Sequence, residues 1–434
     1  MAPFRFRSDG SSLRRGAFRG IRGLRALAAV AGLFAAVAGP VAAQGESPIQ
    51  ALLAHKQGAE WADRFDATLP EVRSVKSDAP TVTPYTAQAI RIAIQQYSAV
   101  ASAGGWPIVP SASQPLKLGS RDAAVTVLRQ RLTLSGDLRQ TSGRPEVFDS
   151  YVDAAVRRFQ LRHGLLGDGV VDSRTVNIMN VPVWVRLRQL ENNLARVEDL
   201  AGKLGDRFVL VNIPAAEIEA VENGRVRSRH TAVVGKIDRQ SPILSSRIHE
   251  LNFNPYWTVP VSIIRKDLIP KMQQDPEYLA KNKIRIYRWG SEQELLPTQI
   301  DWYSDEATQY MFRQDPGELN SLGSVKINFH NPHSVYLHDT PSKNLFGSDF
   351  RFHSSGCVRV QNVRELITWL VEPNGWDRAQ VDAMFRNGQQ LDLALKRQTP
   401  IHFVYVTAWA TDDGVVAGRD VCYLMVGGGQ LALR

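Results

Sequence analysis

His338 and Cys357 stand nineteen residues apart in a stretch dense with reactive types. It reads His338-Asp339-Thr340-Pro341, then Leu345-Phe346-Gly347, Arg351, and Ser354-Ser355-Gly356-Cys357-Val358-Arg359-Val360. A cysteine attacks as its thiolate, and its ordinary pKa of about 8.5 leaves it mostly protonated near neutrality. A neighbouring base solves that, and an imidazole, with an ordinary pKa near 6.5, is suited to the role. Gly356 lets the backbone come close to a reacting carbonyl, and amides around Ser355, Gly356 and Cys357 can form an oxyanion hole. Arg351 and Arg359 offer planar forks for a carboxylate, or are ordinary surface charges. The chemistry these residues could do together is attack by sulfur on a carbonyl.

Two rival uses of these residues compete with that reading. The chain has two cysteines, Cys357 and Cys422, which could pair as a disulfide. His330, His333, His338 and His353 fall within 24 residues and invite a zinc site, but no pair has the helical spacing of a zinc motif. The expectation is therefore a free Cys357, no metal and no cofactor. His330 and His333 flank Asn331-Pro332 and read as turn or cleft residues.

The elements that must hold these residues are strands from Arg207 onward. Phe208–Ile213, Arg229–Val234, Arg247–Phe253, Val325–Phe329, Ser334–Leu337 and Ile401–Ala410 are short apolar runs between turn signals. Arg265 to Leu322 interrupts them with charges and helix signals, and reads as an insertion over the sheet. Gln361–Trp369 predicts a helix, with Asn362 as its cap. Upstream, Ser47–Phe65 and Thr86–Val100 have helical spacing, and residues 104–115 read as a linker rich in Gly and Pro. Asp122–Leu134, Ser150–His163 and a helix opening near Ser173 form a compact unit. Pro182 begins an amphipathic helix to about Leu204, with Pro at the first helical position.

The 434 residues have ordinary globular composition, 44% hydrophobic and 22% charged, with a formal charge of +9. Much of that charge sits in the first 43 residues, where Arg5, Arg7, Arg14, Arg15, Arg19, Arg22 and Arg25 face one acid, Asp9. The remainder is close to neutral, so a nucleic-acid partner is not indicated. The Arg-rich start, the small-residue apolar run Ala26–Val41 and Val41-Ala42-Ala43 before Gln44 have the layout of a cleaved secretory signal. No later segment is long and apolar enough to span a membrane.

Two resemblances follow from these residues. The unit at 115–181 resembles the small three-helix peptidoglycan-binding module, through Leu116-Lys117-Leu118-Gly119, Ala155-Val156-Arg157-Arg158-Phe159-Gln160 and Asp168-Gly169-Val170-Val171-Asp172. Residues 207–410 resemble the YkuD-type L,D-transpeptidases, cysteine enzymes that crosslink peptidoglycan. Asn254-Pro255-Tyr256-Trp257-Thr258-Val259-Pro260, Tyr336-Leu337-His338-Asp339-Thr340-Pro341 and Ser354-Ser355-Gly356-Cys357-Val358-Arg359-Val360 carry it. The insertion is similar to the substrate-capping segment of a periplasmic subgroup, which also has serine where Ser355 stands. The resemblance implies Cys357 as nucleophile and His338 as general base, with Arg359, Arg351, Tyr336 and Trp257 toward substrate. Asp339 is a candidate for orienting His338, and Trp257 is as readily core as cleft.

The expected fold is multidomain α+β: a β-rich, sandwich-like catalytic domain with a helical capping insertion, preceded by an all-α region and a three-helix module. The expected domains are a signal peptide (1–43), a helical scaffold and linker (44–114), the peptidoglycan-binding-like module (115–181), a connecting helix (182–205), the catalytic domain (206–410, insertion about 265–322) and a tail (411–434). The expected partners are peptidoglycan stem peptides and glycan, in the periplasm or wall. Rival readings are a carboxypeptidase, attachment of a protein to peptidoglycan by the same thioester, or a non-catalytic wall-binding scaffold.

Overall fold

The computed structural model describes residues 78–139, 143–411 and 414–419. The leader, the helix expected at 47–65 and Cys422 lie outside them.

Helix starts follow from side chains that satisfy free amides. Thr83 caps α1 (Pro84–Ser102), its side chain accepting from the Tyr85 and Thr86 amides, with Pro84 filling a position that needs no N–H. Asp122, Asp149 and Asp172 cap α2 (Ala123–Leu134), α3 (Ser150–Arg162) and α4 (Ser173–Met179) in the same way. Those three helices close on one core that includes Leu128, Leu132, Phe148, Phe159 and Met179. Helix α5 (Val183–Ala201) starts one residue later than the sequence suggests: Pro182 is its N-cap, not its first helical residue. It packs on α1 over Ile90, Tyr97, Leu190 and Val197.

The β-rich part begins with β1 (Arg207–Asn212), β2 (Glu217–Glu222), β3 (Arg225–Gly235) and β4 (Leu244–Phe253). A separate four-stranded sheet follows, made of β5 (Trp257–Thr258), β6 (Ile284–Tyr287), β7 (Glu294–Leu295) and β8 (Met311–Gln314). The insertion is therefore not purely helical. A helical run over residues 261–274 and a turn at Tyr278–Lys281 join β5 to β6, around a core of their own that includes Ile264, Leu279 and Phe312.

The main sheet then resumes with β9 (Val325–Phe329), β10 (Leu337–His338), β11 (Phe352–Ser354), β12 (Val358–Val360) and β13 (Leu391–Val404). A small hairpin, β14 (Ala408–Ala410) with β15 (Val416–Gly418), packs against α1 and α5. The nine strands run β11-β3-β12-β10-β9-β4-β13-β1-β2, and β2 also pairs with β3. That last pairing closes the sheet on itself, so of the sandwich and barrel arrangements that its short strands allow, the chain takes the closed one. Two helices, α6 (Val363–Val371) and α7 (Arg378–Asn387), cover it through Leu366, Ile367, Leu370 and Val381. Asn362 sits at the α6 N-cap position in a left-handed conformation, φ 50°, and makes no side-chain cap bond. The capping role expected for it is absent.

Candidate active site

The site is built on the centre of the main sheet, where β10 lies between β9 and β12. Strand β10 pairs parallel with β12, Leu337 beside Val358 and His338 beside Arg359. It pairs antiparallel with β9, placing Lys326 on the other side of His338. Alternation along a strand then sorts the side chains. Leu337 and Val358 are fully buried in the core, while Tyr336, His338, Cys357 and Arg359 all line a cleft of about 500 Å³ on the opposite face. A one-residue slip of either strand would turn the reactive set into the core.

His338 is oriented by its neighbour's backbone. Its Nδ1 lies 2.5 Å from the Asp339 carbonyl oxygen, which can only accept, so Nδ1 carries the hydrogen and Nε2 keeps its lone pair. The Asp339 carboxylate points elsewhere, accepting from the Ser324 amide at 2.9 Å and from Lys343 Nζ at 2.5 Å. The Asp339 expectation is thus met by its carbonyl and not by its side chain. Burial, then Arg359 beside it, pushes the His338 pKa down to about 3, and Lys326 adds to the effect.

Cys357 is a free, half-buried thiol. Burial pushes its pKa up to about 11, opposed by hydrogen bonds from the Tyr336 backbone and side chain and by the charges of Lys326 and Arg359. Tyr336 is itself fixed: its hydroxyl accepts from Trp257 Nε1 at 3.2 Å, and Lys326 Nζ lies over its ring at 4.7 Å. Trp257, left open between cleft and core by the sequence, therefore faces the cleft.

The loop before Cys357 is internally bonded. Gly356 has φ +113°, a conformation open to glycine. Its amide donates to Ser354 Oγ at 3.2 Å, and Ser354 Oγ in turn donates to the Cys357 carbonyl. Ser241 Oγ donates to the Gly356 carbonyl at 2.8 Å. The Gly356 amide is therefore engaged within the loop, and its part in the site is to shape the turn. Ser355 is exposed, and its hydroxyl accepts from Arg239 Nη1 at 2.9 Å. Arg239 lines the cleft and had no signature in the sequence, since its partner lies 116 residues away.

The two arginines expected at the substrate part company. Arg359 lines the cleft, with a buried Nε that has no hydrogen-bond partner. Arg351 is buried and turned to the backbone, donating to the Ser348 and Ala215 carbonyls at 3.0 Å each, and it is not among the cleft residues. Its guanidinium ties the segment at Ser348 to the turn at Ala215 and is not part of the cleft lining. His333 and His353 line the cleft, whereas His330 stacks on His249 with ring centroids 4.1 Å apart.

Comparison with known proteins agrees with this architecture. Residues 206–389 match the model of the YkuD family, described as an L,D-transpeptidase catalytic domain. Residues 121–179 match a family described as "Putative peptidoglycan binding domain". A Haemophilus influenzae protein described as "Putative L,D-transpeptidase" is 31% identical over 214 residues, which is 49% of this chain and 43% of that protein. The chain thus spans less than half the length of that relative. The Mycobacterium tuberculosis protein described as N-acetylmuramoyl-L-alanine amidase CwlM is 46% identical over 68 residues, 14% of this chain and 17% of its own. Among solved structures, an L,D-transpeptidase from Xylanimonas cellulosilytica aligns at 17% identity over 68% of this chain and 100% of that one, with a TM-score of 0.22. Residues 206–389, which hold both His338 and Cys357, thus match the YkuD family of L,D-transpeptidase catalytic domains, and residues 121–179 match the peptidoglycan-binding domain family.

Proposed function

We propose that this protein is an exported L,D-transpeptidase of peptidoglycan. The observation that carries the reading is the shared face of β10 and β12, which brings Cys357, His338, Tyr336 and Arg359 into one open cleft inside the matched domain. Cys357 Sγ attacks the carbonyl carbon of the third stem residue, expected to be diaminopimelate, as His338 Nε2 takes the thiol proton. The tetrahedral adduct collapses, the terminal D-alanine leaves as its amine with that proton, and a thioester remains. The side-chain amine of a second stem attacks the thioester, passes a proton to His338, and the proton returns to sulfur. One amide replaces another, so no external energy source or cofactor is required.

Cleft charge supports an acidic peptide as substrate: Lys236, Arg239, Lys271 and Arg359 face a single acid, Asp267, among the described lining residues. The 257–314 sheet and helices stand over the mouth as a cap that limits water, and hydrolysis of the thioester with it. The helical unit ahead of the domain is assigned to holding the glycan or stem near the cleft, and the leader to export.

The test is defined disaccharide-tetrapeptides incubated with the full chain and with Cys357→Ala, followed by mass spectrometry. Crosslinked dimer with loss of D-alanine from the wild type, and none from the variant, is the expected result. Tripeptide alone would make the protein a carboxypeptidase, and no Cys357-dependent product would leave a wall-binding scaffold.

A further inference from the structure

Arg239 stands in the β3–β4 loop and is met by two other parts of the chain. Its Nη1 donates to Ser355 Oγ at 2.9 Å, and its two terminal nitrogens donate to the two carboxylate oxygens of Asp267, Nη2 at 3.0 Å. Asp267 belongs to the insertion, Ser355 to the nucleophile's loop, and all three line the cleft that holds Cys357. A guanidinium fork against both oxygens of a carboxylate is the preferred geometry for recognising that group. The arrangement is therefore a carboxylate site that is built and already filled from within the protein.

The other cations in the cleft do not offer this. Lys236 and Lys271 carry ammonium groups with no fork, Lys271 Nζ donating to Tyr278 and lying over its ring, and Arg359 has no ion pair among the described residues. Position also matters. Ser355 is two residues from Cys357, so their Cα atoms lie within about 7 Å, roughly one residue of a bound peptide away from the attacked carbonyl.

We propose that Arg239 reads a carboxylate of the acyl-donor peptide, and that Asp267 fills this position in the empty cleft and yields it when the peptide enters. The proposal rests on the acyl-transfer reading of the cleft and names a specificity determinant for it. An exchange of one carboxylate for another leaves the guanidinium paired throughout, which avoids the large cost of an unpaired buried charge. Arg239 is 14% exposed and Asp267 29%, so the group that leaves is the one closer to water. The Ser355 bond persists and keeps the fork aimed. An amide in place of the carboxylate offers one acceptor oxygen and no charge, and does not displace Asp267.

The experiment is calorimetric binding to the full chain carrying Cys357→Ala, which removes turnover. The probes are a tetrapeptide stem and versions with single carboxylates amidated one at a time. One amidation is expected to weaken binding at least tenfold. Adding Arg239→Gln abolishes that preference, Arg239→Lys keeps part of it, and Asp267→Asn tightens the acid form several-fold without tightening the amide. A preference that survives Arg239→Gln, or acid binding weakened by Asp267→Asn, overturns the proposal; the second outcome would make the Asp267 pair a clasp that must stay shut. An Arg239-dependent preference without any thioester on wild-type Cys357 would overturn the transpeptidase reading alone. Thioester formed equally on acid and amide stems would overturn the carboxylate site alone.

Discussion

Burial disfavours the charged forms of both Cys357 and His338, which line the same cleft. Alkylation of Cys357 by iodoacetamide should therefore rise with pH well past 9, toward a midpoint near about 11. Arg359→Gln removes a charge that favours the thiolate, so the same alkylation profile should move to higher pH. On the mechanism proposed above, His338→Gln removes the proton acceptor, and product formation should fall by ~10²–10⁴, the range for general acid–base catalysis. Asp339→Asn should leave the rate nearly unchanged, since a carbonyl and not the carboxylate holds His338. That Cys357, His338 and Arg359 would share a cleft was legible because their types are chemically distinctive and lie close together along the chain. Arg351 was misread because residue type does not show whether a guanidinium faces solvent, substrate or the protein's own carbonyls. Arg239 and Asp267 were invisible for the opposite reason: their partnership exists only after distant segments meet.

The elements most readable in advance were the capped helices. Asp122, Asp149 and Asp172 announce α2, α3 and α4 because a short acceptor before an apolar period has one good use. Strands β1, β3, β4 and β9 were also legible as buried runs. Strands β2, β6 and β8 were missed, since Glu217–Glu222 alternates acids with apolar residues and the others sit in a charged insertion. Ring closure was not legible, because nothing local says that β2 will meet β3. One element ties these levels together. A Cβ on Gly235, at the end of β3, would come within 2.3 Å of the Arg239 carbonyl oxygen and 2.6 Å of the Ser241 amide. Gly235→Ala must push the 236–241 loop outward, taking Arg239 from Ser355 and Ser241 from Gly356. It should raise KM for acidic stems more than it lowers Tm, measured by steady-state kinetics beside calorimetry.

Across the whole molecule, the helical unit is joined to the β14–β15 hairpin through Arg162, which a buried ion pair within the unit holds in place. Arg162 is bonded to Asp137 through two nitrogens at 2.7 and 2.5 Å, while its Nη1 donates to the Val416 carbonyl and its own carbonyl accepts from Arg419 Nη1. Breaking such a pair from one side leaves a buried charge, so Asp137→Asn should cost about 3–5 kcal/mol, seen as a lower urea midpoint. Acid should also weaken the fold through its histidines. His338 and His230 have folded pKa values lowered to about 3 and about 4, chiefly by burial. The unfolded chain takes up those protons near pH 6.5, so their contribution is whole above that pH and is lost as pH falls toward 4 and then 3. His230→Gln and His338→Gln should flatten the drop in urea midpoint between pH 7 and 4, relative to wild type.

A sheet that meets its own far side has consequences for the company it keeps. Open β-sheets end in rows of unmatched amides and carbonyls that invite strands from other chains. Here β2 is spoken for by β3, and the terminal position falls to β11, only three residues long and bent by a register shift against β3. The ring should accordingly recruit no strand from a neighbouring copy, and thioflavin-binding growth at high concentration, if it occurs, should start at the open four-stranded sheet, whose edges are β5 and β7.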